Sequence, residues 1–338
     1  MQLLLLGGTA WLGQRIAAAA IERGHRVTCL ARGDGIPDGA TLVRADRDDP
    51  AALDAVARDR WDAVIDVARQ PGHVRRAVAA LEPVAERYVF VSSCSVYASQ
   101  ARIGADESEP TFEPLEADLM GSPEDYGPAK VACERAVLDS FGVARSLIAR
   151  AGLIGGPGDP SGRSTYWPWR FAHPSMADGR VLVPDAPEVP TAVIDVRDLA
   201  AWLVEAAERS GAEGSGGERS GVMNAMGRPL ALPDHLELVR SLAGHRGSLV
   251  AASEAWLGSQ GVGQWSGSRS LPLWLADPDW YGMNARSIDR ALAAGLALRP
   301  LEQTVRDILT EQGAQPSGAG LSDDDERELL SELDRIAR

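Results

Sequence analysis

The chain opens on a short apolar run, Gln2-Leu3-Leu4-Leu5-Leu6, that stops at Gly7-Gly8. Such a run, bounded by glycine, predicts a strand buried on both faces. An alanine-rich segment from Leu12 has helical spacing and ends at Gly24, so it predicts a helix, and His25–Ala31 predicts a second strand. The alternation then repeats. Thr41–Asp46 predicts a third strand, Asp49–Arg58 a helix with proline in its first turn, and Trp61–Ala68 another strand. His73–Arg87 predicts a helix and Tyr88–Tyr97 a fifth strand. Residues 98–121 are acidic and carry Pro110 and Pro114, as a long surface loop would. Ser122-Pro123-Glu124-Asp125 has capping-box character and leads into the helical segment Tyr126–Gly142; Arg145–Gly155 follows as a sixth strand.

Strands and helices in this order predict an α/β fold, a Rossmann-type doubly wound parallel sheet with a smaller C-terminal substrate-binding lobe. Past residue 155 the alternation weakens. Residues 156–190 are loop-rich, Thr191–Glu208 predicts a strand and then a helix capped near Asp195 or Asp198, and 209–221 is a Gly/Ser-rich insertion with no chemistry to assign. The tail after Gln315 predicts a hinge and an acidic amphipathic helix. Seven of the nine tryptophans lie between Trp167 and Trp280, outside the sheet-forming half.

At 338 residues and 45% apolar the chain can bury a sizeable core. A formal charge of −14 argues against nucleic acid or an anionic membrane as partner. The first apolar run is too short for a signal peptide or a membrane span, and a cytoplasmic protein is the expectation. Cys29, Cys94 and Cys133 lack C-x-x-C spacing and lie in apolar runs, which predicts reduced, buried thiols. No metal site is assigned.

Candidate chemistry begins between the first strand and the first helix. Gly7, Ala10 and Gly13 give the spacing G-x-x-A-x-x-G across Gly7-Gly8-Thr9-Ala10-Trp11-Leu12-Gly13. A glycine turn at a helix N-terminus lets backbone amides approach a pyrophosphate. Residues 1–155 are therefore expected to form a dinucleotide-binding domain, 156–312 to contribute to both sheet and substrate lobe, and 313–338 to form a linker and helix. An NAD site usually carries a carboxylate at the end of the second strand, yet Ala31-Arg32 stand there. Arg32 is either a 2′-phosphate partner, which favours NADP(H) with NAD(H) as the alternative, or one more solvated arginine. Asp46 either binds an adenine amino group or caps its turn.

Lys130 is the only lysine among 34 basic side chains, and it follows Tyr126 by four residues. On a helix the two share a face. An ammonium beside a phenol favours the phenolate, and its compact charge with three donors suits sugar hydroxyls better than a guanidinium does. The fifth strand ends in Ser92, Ser93 and Ser95, at the sheet edge where ligands bind in open α/β folds.

Together the glycine turn, "SSCSVY" and "YGPAK" resemble the extended short-chain dehydrogenase/reductase family, also called the NAD-dependent epimerase/dehydratase family, and most closely its atypical bacterial branch. The resemblance covers residues 1 to about 310 and implies that Ser93, Tyr126 and Lys130 are the catalytic serine, the acid/base tyrosine and the ribose-gripping lysine. It also implies that Gly7–Gly13, Arg32, Asp46, Ala68 and Lys130 hold the cofactor. Two departures stand out: Ala10 replaces a glycine, and Cys94-Ser95 replace the acidic pair of sugar dehydratases, which argues against a dehydratase. The implied activity is an NAD(P)-dependent oxidoreductase that moves hydride between nicotinamide and a small-molecule carbonyl or hydroxyl. The alternative is a nucleotide-sugar epimerase with tightly held NAD; a non-catalytic dinucleotide-sensing or RNA-binding relative is opposed by the intact Ser-Tyr-Lys set. For the substrate, Ser95, Tyr166, Trp167 and Arg170 suit an aromatic or glycosidic ligand, although the aromatic segments suit a lobe core equally well. A homodimer is compatible with the resemblance.

Overall fold

The computed structural model describes residues 1–208, 220–311, 313, 315–316 and 318–336. Seven strands make the central sheet: β1 (Gln2–Leu6), β2 (Arg26–Ala31), β3 (Thr41–Arg44), β4 (Ala63–Asp66), β5 (Tyr88–Ser93), β6 (Ser146–Ala151) and β7 (Gly221–Ala225). Their order is β7-β6-β5-β4-β1-β2-β3 and every neighbouring pair is parallel. This is a Rossmann-like α/β fold. The order reverses between β1 and β4, which opens a crevice at the carboxyl ends of the strands.

The leucine run explains the layering. Side chains alternate along a strand, so Leu3 and Leu5 face one side of the sheet while Leu4 and Leu6 face the other. Helices α1 (Trp11–Glu22) and α5 (Val196–Ala207) cover the first side through Ile16, Ala20, Leu199 and Leu203. Helices α2 (Pro71–Leu81) and α3 (Tyr126–Phe141) cover the second through Val74, Val78, Val137 and Phe141. Replacing one such leucine by alanine would cost about 2–5 kcal/mol.

Three sequence expectations are corrected. Residues 49–58 form successive turns instead of a helix: backbone bonds close three residues back, as from the Asp54 N–H to the Ala51 carbonyl and from the Val56 N–H to the Leu53 carbonyl, and the indole of Trp61 donates to the Val56 carbonyl at 2.8 Å. The fifth strand stops at Ser93, because the Ser93 hydroxyl accepts the Ser95 backbone N–H at 3.1 Å and turns Cys94–Val96 into a 3-10 turn. The sixth strand breaks at Gly152, where a Cβ would sit 2.8 Å from the Met226 side chain; Leu153–Gly155 leaves the sheet and pairs with Val193–Asp195.

The C-terminal lobe has its own core of Trp167, Phe171, Leu182, Leu236 and Trp274, closed by Leu329 and Leu330 of the helix Asp323–Ile336. Helix α4 (Tyr166–Ala172) lies inside it. The insertion expected over 209–221 lies outside the described residues up to position 219. Among the described residues no helix is long and apolar enough to cross a membrane. All three cysteines are free and buried.

Candidate active site

The glycine turn is shaped so that backbone, not side chain, meets a ligand. Gly7 has φ +104°, and a Cβ on it would lie 2.5 Å from Val67. On Gly8 it would strike the Cys29 sulfur at 2.5 Å, and on Gly13 the Gly7 carbonyl oxygen at 2.2 Å. Ala10 precedes α1 in extended geometry and offers no capping side chain, so the first-turn amides of a twelve-residue helix stay open. The extra methyl of Ala10 stands at the groove wall without closing it.

Gly7, Thr9, Ala10, Ala31, Arg32, Asp46, Val67 and Ala68 line a groove of about 390 Å³. Val67 also lines a second cavity, of about 450 Å³, together with Trp11, Leu12, Ser93, Ser95, Tyr126 and Lys130 among others. The glycine cradle and the two grooves have the shape that a dinucleotide requires. Arg32 does not stand as an unopposed cation. Its guanidinium lies 3.7 Å from the Asp46 carboxylate and both are exposed, so the argument that nothing acidic meets a 2′-phosphate is corrected.

Beside the groove lies a buried group the sequence did not single out. Arg47 holds Asp66 at 2.7 and 3.0 Å, the Tyr88 hydroxyl donates to Asp66 at 2.7 Å, and the Ala68 N–H donates to it at 2.9 Å. Burial opposes charge on Asp66, yet the Arg47 guanidinium wins and holds the carboxyl below its usual range. A carboxylate ending a strand, followed by arginine only in space, gives no periodic signal.

Three catalytic candidates converge in the second cavity. Tyr126 begins α3, and Lys130 follows one turn later. Gly127 is what lets the helix come close, since a Cβ there would meet the Ser95 carbonyl oxygen at 2.4 Å. The start of α3 is fixed by Asp125, whose carboxylate accepts the N–H of Gly121 at 2.7 Å and of Ser122 at 3.1 Å. Lys130 is 3% exposed, donates to the carbonyl oxygens of Ala68 (2.6 Å) and Val91 (2.7 Å), and lies 4.7 Å above the Phe90 ring. Its ammonium sits 6.0 Å from the Tyr126 ring centroid.

The serines divide as strand alternation requires. Ser92 turns away and donates to Glu134 at 2.5 Å, joining the buried pair Glu134–Arg150, whose Nη2–Oε2 distance is 2.7 Å. The Ser93 hydroxyl lies 3.1 Å from that of Ser95, and both residues line the cavity.

Of the expected substrate residues, Ser95 lines the cavity and those of the aromatic segment do not. Tyr166, Trp167 and Arg170 do not line the cavity; they are buried in the lobe. Arg170 lies 2.8 Å from Asp323 and 3.2 Å from Glu326, and Trp167 donates to the Pro272 carbonyl at 2.8 Å. The two carboxylates that offset the cost of burying this arginine come from the C-terminal helix. Arg163, Trp265, Met283 and Asn284 line the cavity instead, none of which the sequence marked as a site residue.

Comparisons with known proteins agree with this architecture. Residues 3–87 match the model of the NAD dependent epimerase/dehydratase family, in agreement with the resemblance over that segment. No curated protein has a sequence that matches the chain. Among solved structures, UDP-N-acetylglucosamine 4-epimerase of Bacillus cereus is 17% identical with a TM-score of 0.64, over 92% of this chain and 96% of its own. UDP-glucose 4-epimerase of Thermotoga maritima, solved with UDP-glucose, is 16% identical with a TM-score of 0.61, over 92% and 98%. UDP-glucose 4-epimerase of Thermus thermophilus, solved with NAD, is 18% identical with a TM-score of 0.59, over 92% and 98%. At these identities the likeness concerns the fold.

Proposed function

We propose that this protein is an NAD-dependent epimerase of a nucleotide-linked sugar, which oxidises a ring hydroxyl and reduces the resulting ketone on its other face. The observation that carries this reading is the meeting of Ser93, Tyr126 and Lys130 in a cavity that shares the wall residue Val67 with the glycine-lined groove. The pairing of Arg32 with Asp46 favours NAD over NADP(H), and the relatives named above act on UDP sugars. Both points favour the epimerase over an oxidoreductase that exchanges free NADP(H).

When bound, the dinucleotide supplies a hydride acceptor and donor at its nicotinamide ring. The remaining work falls to the chain. Tyr126 takes the proton of the substrate hydroxyl as its C–H bond breaks and returns it when the bond re-forms. Ser93 and Ser95 donate hydrogen bonds to the same oxygen. Lys130 has two N–H groups committed to Ala68 and Val91, which leaves its third for a ribose hydroxyl or the Tyr126 oxygen.

The test is proton NMR of UDP-glucose and UDP-N-acetylglucosamine incubated with purified protein and no added dinucleotide. The 4-epimer should appear with no reduced dinucleotide accumulating in solution. Turnover that requires stoichiometric NAD(P)H would replace this reading with the free oxidoreductase.

A further inference from the structure

Arg69, Lys130 and Arg163 line the cavity around Tyr126, against a single carboxylate, Asp159. Asp159 is already filled: it accepts the N–H of Ser161 (2.8 Å), the N–H of Ser164 (3.1 Å) and the Ser164 hydroxyl (2.7 Å). Lys130 is committed to carbonyls. Arg163 is not. Its side chain makes one hydrogen bond, from Nε to the Ser161 hydroxyl at 3.1 Å, and no carboxylate pairs with it among the described residues.

The guanidinium is nevertheless held in place. It lies 5.3 Å from the centre of the Trp265 ring, in a cation–π contact. Burial lowers the arginine's affinity for its proton, and negative charge at Asp159 or Tyr126 opposes that. Arg163 and Tyr126 line the same cavity. The wall behind it is built at a conformational cost. Trp265, Arg269 and Leu273 have φ of 65°, 58° and 69°, values that side-chain-bearing residues seldom adopt. Gly267–Ser268 pairs with Ala319–Gly320, and Arg269 binds Asp325 and Glu328, so the C-terminal segment holds the wall in that shape.

A planar guanidinium that is half-buried beside an indole ring and has both terminal nitrogens uncommitted is matched to a carboxylate, which it can bind through two parallel N–H···O bonds. We propose that Arg163 seats a carboxylate of the substrate in the cavity it shares with Tyr126, which makes the substrate an acidic sugar and Arg163 a specificity determinant. The choice of sugar rests on the function proposed above; the carboxylate seat does not.

Two measurements separate these claims. Calorimetric titration of the dinucleotide-loaded protein compares UDP-glucuronate with UDP-glucose, whose sugars differ by a carboxylate two bonds from C4. Charged hydrogen bonds of ordinary strength predict a preference for the uronate of about tenfold or more in the wild type. In Arg163→Gln that ratio should fall to about one, with Arg163→Lys in between. Equal wild-type affinities, or a preference that survives Arg163→Gln, would overturn the proposal.

The second measurement needs no nucleotide. Phenylglyoxal modification of Arg163, followed by peptide mass spectrometry, should be slowed by free glucuronate and not by glucose. If neither UDP sugar binds, the nucleotide-sugar function fails, while protection by glucuronate alone still supports the seat. Absent or equal protection by the two sugars contradicts the seat.

Discussion

Lys130 donates to the carbonyl oxygen of Ala68 at 2.6 Å and thereby ties α3 to the turn that follows β4. A second bond, to Val91, fixes the ammonium from the β5 side. The pocket is 3% exposed and matches a compact cation that can direct three donors in different directions. Lys130→Arg should therefore lower kcat by tenfold or more, although this chain uses arginine for every other basic side chain. Steady-state kinetics checks this, and an arginine variant with wild-type kcat would mean that the ammonium geometry is irrelevant.

Ser92 and Ser93 should separate by phenotype. Ser93→Ala removes a hydroxyl that faces the cavity and should lower kcat with little change in stability. Ser92→Ala leaves the buried Glu134 short of one donor. It should cost about 1–3 kcal/mol in denaturant unfolding, with kcat retained. Equal kinetic losses for both variants would contradict the register of β5.

The sequence made parts of this site legible and hid others for a physical reason. The glycine turn and the Tyr126–Lys130 pair could be read because each function depends on local spacing, a strand-turn-helix or one helical turn. So could the sheet, from the two-sided apolar strands. For Tyr166, Trp167 and Arg170 the choice between cavity and core stayed open, because aromatic and arginine side chains look alike in sequence whether they line a cavity or fill a core. What decides between Arg163 and Arg170 is Glu326, which lies 0% exposed beside Arg170 on a helix more than 150 residues away along the chain. The Arg163–Trp265 contact likewise joins distant segments, and Asp66 reads as an ordinary strand residue until Arg47 is folded against it.

His235 gives a pH prediction. Burial lowers its pKa from 6.5 to about 4, and its ring lies 3.0 Å from the Thr191 hydroxyl. The unfolded chain therefore binds the proton more readily than the folded one between those values. The stability contribution is complete above about 6.5 and is lost as pH falls towards 4. The loss attributable to this residue has an upper bound of about 3 kcal/mol. Urea unfolding at pH 7 and pH 5 should show a smaller pH dependence in His235→Gln than in the wild type; identical slopes would rule the effect out.

The Arg32–Asp46 pair predicts that the wild type binds NAD at least as tightly as NADP, measured by equilibrium dialysis. Asp46→Asn frees the guanidinium and should shift the NADP/NAD affinity ratio towards NADP by about tenfold, the worth of one charged hydrogen bond. A wild-type preference for NADP would contradict the neutralised arrangement.

The central claim is that the Tyr126 oxygen moves the substrate proton in a cavity that also receives the nicotinamide. It is tested most directly by following the near-ultraviolet absorbance of reduced nicotinamide on protein loaded with NAD, after UDP-glucose or UDP-glucuronate is added with no further dinucleotide. In the wild type the reduced form should appear on the protein. In Tyr126→Phe, which loses only the phenolic oxygen, the rate should fall by about a hundredfold or more while the dinucleotide stays bound. Reduction by Tyr126→Phe at more than about a tenth of the wild-type rate would contradict the account, since a general acid/base contributes more than that.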